Sequence, residues 1–201
     1  MKINVRGLLA VTALITASTF TLAGNLAPDA DIQARIDEAN TTAAAFLKQL
    51  GGTMKHEMQS GGPVAAMSVC RDAAPKIAND ISLKKGWKVT RVGTRVRNPM
   101  LGMPDAWEQR VLQSFEKRAA QGEKYSGMTH YEVVEEPAGK SLRYMKAIGT
   151  APQCMVCHGS TAQIAQPVRE RLNVMYPHDK AVGYKPGDLR GAVSIKQPLE
   201  D

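Results

Sequence analysis

Residues 128–148 read MTHYEVVEEPAGKSLRYMKAI. The two ends of this stretch, 128–135 and 141–148, are rich in β-branched and aromatic residues, which favour strands. A short segment with Pro137 and Gly139 separates them, as in the connection of a β-hairpin. Strands joined this closely pair antiparallel. The stretch therefore predicts an antiparallel sheet.

Helical periodicity dominates the chain before the hairpin. From Asp31, apolar residues recur every three or four positions up to the glycine pair at 51–52, which predicts an amphipathic N-terminal helix that ends there. A Gly-Gly-Pro break at 61–63 precedes a second helix, whose inward face carries Cys70. Proline suits the first turn of that helix, because its missing N–H is not needed there.

The remaining segments alternate between the two kinds of element. Patterns of hydrophobicity predict strands at 87–96 and 192–195 and helices at 107–122 and 164–175. Helices clustered early, followed by strands that alternate with helices, predict an α+β fold with an antiparallel sheet and flanking helices.

The first 23 residues have the composition of a secretory signal peptide. Lys2 and Arg6 precede an apolar segment that closes on Ala23, so we expect cleavage after Ala23. The alternative is an uncleaved membrane anchor, but the apolar run is shorter than the roughly 20 residues that a membrane helix needs. We expect 1–23 to be removed and 24–201 to form one periplasmic domain without a stable membrane span.

The charge of the chain is basic but dispersed. Its formal net charge is +7, from 26 Lys and Arg and 19 Asp and Glu, and removal of two basic leader residues lowers this to +5. Because the positive residues are not clustered and export separates the protein from DNA, we expect no nucleic-acid partner. A solvated basic surface, an acidic protein partner or a buried anionic cofactor would each account for this charge.

One short motif carries specific chemistry. Cys154, Cys157 and His158 form Cys-x-x-Cys-His, the pattern of c-type haem attachment. Each thiol can add across one vinyl group of the porphyrin, and the adjacent imidazole can then ligate the iron. We predict one covalent haem c, with His158 as an axial ligand.

Three other interpretations use the same residues. A thioredoxin-type redox pair would start a helix after a strand of a βαβ unit, which the hairpin upstream does not offer. A structural zinc site needs four ligands, and the sequence lacks a second ligand pair at metal spacing. A disulfide between Cys154 and Cys157 leaves His158 and Cys70 without a role.

Haem would also need partners for its propionates and its second axial position. Arg95, Arg97 and Asn98 are candidates for the propionates, although the two arginines could equally form a solvated strand face. The candidates for the second axial ligand are four side chains, Cys70, His56, His130 and His178, together with the methionines. An inward-facing Cys70 would bind iron as a thiolate or serve as a small buried hydrophobe.

Several motifs along the mature chain occur in an order shared with a known family. They are Gly-Gly-Pro at 61–63, Val69-Cys70, Ala74-Pro75, Arg97-Asn98-Pro99, residues 104–108, residues 143–145, residues 154–159, Tyr176-Pro177 and residues 188–191. Over roughly 31–198 the chain resembles the PAS-like c-type haem domain, a family long catalogued as a domain of unknown function. The resemblance implies a PAS-like antiparallel sheet with flanking helices and a long N-terminal helix, one covalent haem, and axial ligation by His158 and Cys70. Family members often carry an acidic residue in place of His178, so the resemblance gives His178 no essential role.

Ligation by thiolate and imidazole implies a low reduction potential, whereas a methionine ligand would raise it. Two filled axial positions leave no place for O₂, but reduction weakens an iron–thiolate bond, and CO or NO then become candidate ligands. We expect a monohaem cytochrome, not an enzyme, that acts in redox or gas sensing or in low-potential electron transfer. The alternative is a periplasmic electron carrier with His/Met or other ligation and no sensing role. Its partner would be a redox protein or a sensor-output protein.

Overall fold

A four-stranded antiparallel sheet lies at the centre of the computed structural model, which describes residues 30–199. The predicted signal peptide at 1–23 lies outside the described residues. The strands are β1 (Lys88–Gly93), β2 (Thr129–Glu136), β3 (Gly139–Gly149) and β4 (Leu189–Pro198). Their order in the sheet is β1-β4-β3-β2.

The predicted hairpin is confirmed as β2 and β3. The pairing runs from Thr129 opposite Lys146 to Glu136 opposite Gly139, so only two residues connect the strands. Gly139 has φ 106°, in the region that favours glycine. The last strand, β4, is longer than predicted, because it pairs with both β3 and β1.

Helices cover both faces of the sheet. In chain order they are α1 (Ala30–Ser68), α2 (Ala74–Lys85), α3 (Pro99–Gly102), α4 (Ala106–Ala120), α5 (Met155–His158) and α6 (Gln166–Met175). Alternation along β3 sends Leu142 and Tyr144 into the core shared with α1 and α2, and Met145 and Ala147 into the core shared with α4. The predicted α+β class, antiparallel sheet and flanking helices are confirmed.

The long helix α1 departs from the prediction at the glycine pair 51–52. The helix continues through this pair and is interrupted only at Gly62, whose φ is 69° and ψ is −168°. Leu50 and Met54, on either side of the pair, contact the same core cluster. This packing outweighs the helix-propensity cost of about 1 kcal/mol per glycine.

The strand β1 is shorter than predicted and ends at Gly93, not at residue 96. The chain then bends, and Asn98 caps the one-turn helix α3 by accepting a hydrogen bond from the Met100 N–H. Within residues 30–199, no helix has the length and apolar character needed to cross a bilayer.

Candidate cofactor-binding site

Two adjoining cavities lie between the sheet, the α1–α2 region and the segment around α5. The larger cavity has a volume of about 690 Å³ and the smaller about 240 Å³. Ligand pockets usually fall between roughly 300 and 1,000 Å³, so the larger one alone is of cofactor size. The residues that line both cavities are Cys70, Arg91, Val92, Arg97, His158 and Arg190.

The Cys-x-x-Cys-His motif forms part of this wall. Cys154 ends a short 3₁₀ turn that begins at Pro152, and α5 follows directly with Cys157 and His158. Both thiols line the larger cavity and neither lines the smaller one. All three cysteines of the chain are free thiols. The site therefore presents two unbonded thiols and an imidazole to one space.

The His158 ring is held in one orientation. Its Nδ1 lies 2.6 Å from the Ala181 carbonyl oxygen, and its ring meets the Tyr184 ring edge-on with centroids 6.0 Å apart. A carbonyl can only accept, so Nδ1 carries the proton and Nε2 keeps its lone pair. Burial, with the charges of Arg97 and Arg190, holds the pKa of His158 well below its ordinary value. A neutral imidazole is the form that ligates a metal.

Cys70 lies in an irregular turn between α1 and α2. Residues Val69–Ala73 are π-helical, and the Ala74 N–H bonds to the Val69 carbonyl five residues back. Pro75 follows, and a proline there lacks the N–H that an α-helix would direct to Arg71 and crowds that carbonyl. Single π turns inside helices occur often at functional sites. Here the π turn contains Cys70, which lines both cavities.

The other candidates for a second axial ligand divide into two groups. His56 and His178 are exposed, and His130 packs against Trp107 with ring centroids 5.8 Å apart. None of the three lines either cavity. Three methionines do line the larger cavity, namely Met54, Met58 and Met67.

Arg97 lines both cavities and connects the end of β1 to the motif. Its Nε donates to Asp179 Oδ2 at 2.9 Å, and its Nη2 donates to the Cys157 carbonyl at 2.6 Å and the Ala181 carbonyl at 3.3 Å. The side chain is 7% exposed. Asp179 therefore already compensates the charge of Arg97. The same guanidinium binds the carbonyl of Cys157, which precedes His158, and the carbonyl of Ala181, which the His158 ring contacts.

The structure does not bring Arg95 to the cavities. Its Nη1 donates to the Val182 carbonyl at 2.7 Å, and its guanidinium stacks on Tyr184 at 4.3 Å from the ring centroid. The reason is the early end of β1 at Gly93, since strand alternation no longer relates Arg95 to Arg91 beyond that point. Asn98 lines the smaller cavity, but its side-chain oxygen caps α3.

Two cavity arginines, Arg91 and Arg190, were not among the predicted site residues. Arg91 lies on β1, and the Arg190 Nη1 donates to the Arg95 carbonyl at 3.1 Å. A Cβ at Gly93 would lie 2.7 Å from that Nη1, so a residue without a side chain makes room for the guanidinium. Alternation along β1 was a signal for Arg91. Arg190 belongs to the 188–191 motif of the family resemblance, but that motif did not indicate that Arg190 lines a cavity.

Protein side chains alone do not form a closed metal site in the described part of the chain. No group of three or more His, Cys, Asp or Glu residues could hold a metal ion there. The sheet is also wholly antiparallel, so the motif does not follow a βαβ unit as a thioredoxin-type pair would.

The fold and the site together define an α+β domain with a cofactor-sized cavity walled by thiols, an imidazole and arginines. A family model described as Tll0287-like matches residues 30–198, and the chain belongs to that family. It is also similar to the crystal structure of the cyanobacterial haem protein Tll0287, with a TM-score of 0.60 and 21% sequence identity. That match covers 87% of this chain and 99% of the other, and it supports the PAS-like fold. No protein with a curated function matches the chain.

Proposed function

We propose that this protein is an exported monohaem c-type cytochrome with a low-potential redox role. The observation that carries the proposal is the convergence of Cys154, Cys157, His158 and Cys70 on the larger of the two adjoining cavities. The structurally similar Tll0287 is a haem protein, which supports haem as the cofactor. The predicted signal peptide supports the periplasm as the location.

The residues present fit a covalently attached haem. Two free thiols three positions apart can each form a thioether, and the larger cavity has the volume of a cofactor pocket. His158 offers Nε2 as a ligand because Ala181 fixes the proton on Nδ1. When bound, haem would supply an iron that changes oxidation state, and the protein's own groups would set its potential.

In this proposal Cys70 would be the second protein ligand to the haem iron. It lines the same two cavities as His158, whereas the three other histidines line neither. An anionic thiolate stabilises ferric iron, so the potential would be low. The methionines at the larger cavity define the competing His/Met proposal, which predicts a higher potential.

A role in redox sensing is favoured over simple electron transfer by the backbone at Cys70. A π-helical turn is a rare irregularity that occurs often at functional sites, and Cys70 lies within it. Release of the thiolate on reduction, with rearrangement of Val69–Ala73, would carry the redox state to α1 and α2. Reduction would then open a position for CO or NO. The output would pass to a separate partner protein.

The covalent attachment is tested by producing the protein in a host that matures c-type haem. Extraction with acidified organic solvent should leave all haem on the polypeptide, and mass spectrometry should show the polypeptide plus one haem. Cys154→Ser with Cys157→Ser should release the haem to the solvent. Complete extraction from the wild type would refute the proposal.

The ligation is tested on the same holoprotein. Cys70→Ala should abolish the low-spin thiolate signature in absorption and EPR spectra, whereas Met67→Leu should leave it unchanged. A signature altered by Met67→Leu, or by equivalent changes at Met54 or Met58, and unaltered by Cys70→Ala would establish His/Met ligation instead. An unchanged ligand field between ferric and ferrous protein would refute the switch while leaving the ligation intact.

A further inference from the structure

The wall shared by the two cavities carries more positive charge than the protein neutralises. Arg97 is paired with Asp179. Neither Arg91 nor Arg190 has a carboxylate within ion-pair distance anywhere in residues 30–199. No Asp or Glu lines either cavity in that part of the chain. Two guanidinium groups are therefore left without an anionic partner.

The two unpaired groups are partly shielded from water and close enough to repel. Arg91 and Arg190 are both half-buried. Burial, together with the charges of Arg91 and Arg97, lowers the pKa of Arg190. Keeping like charges in a poorly hydrated site costs free energy unless an anion compensates them. A ligand with two carboxylates would match two such groups, because each guanidinium binds a carboxylate through a planar pair of N–H donors.

The position of the pair relative to the thiols agrees with one such ligand. Cys154 and Cys157 line only the larger cavity, while Arg91 and Arg190 lie on the wall that it shares with the smaller one. In haem, the two vinyl groups and the two propionates lie on opposite sides of the macrocycle. Thioethers at the two cysteines would leave the propionate edge of the haem free to meet cationic groups elsewhere on the lining of the larger cavity, to which Arg91 and Arg190 both belong.

We propose that Arg91 and Arg190 bind the two haem propionates. This inference rests on the proposed c-type haem. In this inference the propionates are bound by Arg91 and Arg190 and not by Arg95. Arg97 instead positions the backbone at Cys157 and at Ala181. Gly93 belongs to the same arrangement, since its missing side chain leaves space for the Arg190 guanidinium.

The test uses ferric and ferrous holoprotein with Arg91→Gln and Arg190→Gln, and Arg95→Gln as the matched control. Arg95 is a neighbouring arginine whose side chain is exposed and bonded to Val182 instead. Resonance Raman bands of propionate bending report hydrogen bonding to the carboxylates directly. We expect these bands to shift in both cavity variants and to stay at wild-type positions in Arg95→Gln.

The reduction potential gives a second readout. Loss of a positive charge near the iron disfavours the added electron, so each cavity variant should shift the reduction equilibrium toward the ferric state by about tenfold, or about 59 mV for one electron. The reduction potential of Arg91→Lys should stay close to that of the wild type, because lysine keeps the positive charge. The Raman bands should still shift, because lysine lacks the planar pair of N–H donors of arginine.

The outcomes separate this inference from the proposed function. Unchanged propionate bands in Arg91→Gln and Arg190→Gln, in a protein that retains thioether-linked haem, would overturn the inference alone. The two arginines would then bind a free anion or none. Absence of linked haem from the wild type would overturn the inference and the proposed function together.

Discussion

Arg97 joins three separate parts of the chain through one buried guanidinium. It follows β1, binds the carbonyl of Cys157 in α5, and pairs with Asp179 in the turn-rich segment after α6. Arg97 and Asp179 are only 7% and 10% exposed, so each neutralises a charge that water reaches poorly. Removing one partner from such a pair leaves the other charge buried and uncompensated.

Arg97→Ala should therefore lower the free energy of unfolding by about 3 kcal/mol or more, measured by urea denaturation of the holoprotein. Arg95→Ala, two residues earlier and exposed, should cost less than about 1 kcal/mol. Adding Asp179→Asn to Arg97→Ala should recover part of the loss, since it removes the stranded carboxylate. Equal stability of the two arginine variants would show that the Arg97–Asp179 pair has no net effect.

Residues whose chemistry depends on local spacing could be predicted from the sequence. Cys154, Cys157 and His158 are specified by order alone, and the structure brings all three to the larger cavity. Where Arg95 and Arg190 lie relative to the cavities could not be predicted, for a non-local reason. Where β1 ends is decided by its pairing with β4 at Gly93 and Gly191, nearly a hundred residues apart in sequence. Neither composition nor alternation near Arg95 contains that information.

At the scale of elements, the hairpin and α4 were predicted well because their signals are local. The 128–148 stretch contains both strands and their connection, and α4 begins at a capping box formed by Asp105 and Glu108. The π turn at Cys70 was not predicted. Pro75 is the one local signal for it, because a proline disturbs the helical turn before it.

The contact between β1 and β4 depends on a residue without a side chain. Gly191 has φ 151°, and a Cβ built there would lie 2.0 Å from the Val92 carbonyl oxygen. That clash is with backbone, so no side-chain movement relieves it, and the strands would have to separate beside Arg190.

Gly191→Ala should destabilise the protein by more than about 2 kcal/mol, measured by thermal and urea denaturation. Gly127→Ala is the matched control, because an added Cβ there meets nothing within 4 Å and its φ is not in the left-handed region. That control should change stability by less than about 1 kcal/mol. Similar stability of the two variants would mean that β1 and β4 do not approach as closely as described.

At the scale of the whole molecule, Tyr144 links the long helix α1 to the centre of the sheet. Its hydroxyl donates to Asn40 Oδ1 at 2.9 Å, and its side chain is 1% exposed. Burial raises the pKa of Tyr144 from 10.0 to about 12, because the phenolate would lose its hydration. Folding therefore favours the protonated phenol.

The direction in which stability changes with pH follows from which state, folded or unfolded, keeps the Tyr144 proton. Between pH 10 and about 12 the unfolded chain releases the Tyr144 proton and the folded chain keeps it. A rise in pH then favours the unfolded state, and stability falls by up to about 1.4 kcal/mol per pH unit over that window. Below pH 10 both states are protonated, so the contribution is fully present.

Tyr144→Phe isolates this contribution. At neutral pH the variant should be less stable than wild type by about 1 kcal/mol, the net value of the lost hydrogen bond. As the pH rises above about 10 the difference should shrink and then change sign, because phenylalanine has no proton to lose. Tyr131→Phe, at an exposed position on β2, should run parallel to wild type throughout. Urea denaturation of the three proteins from pH 8 to about 12 measures these differences. A constant gap between wild type and Tyr144→Phe would show that this tyrosine ionises as readily in the folded protein as in the unfolded chain.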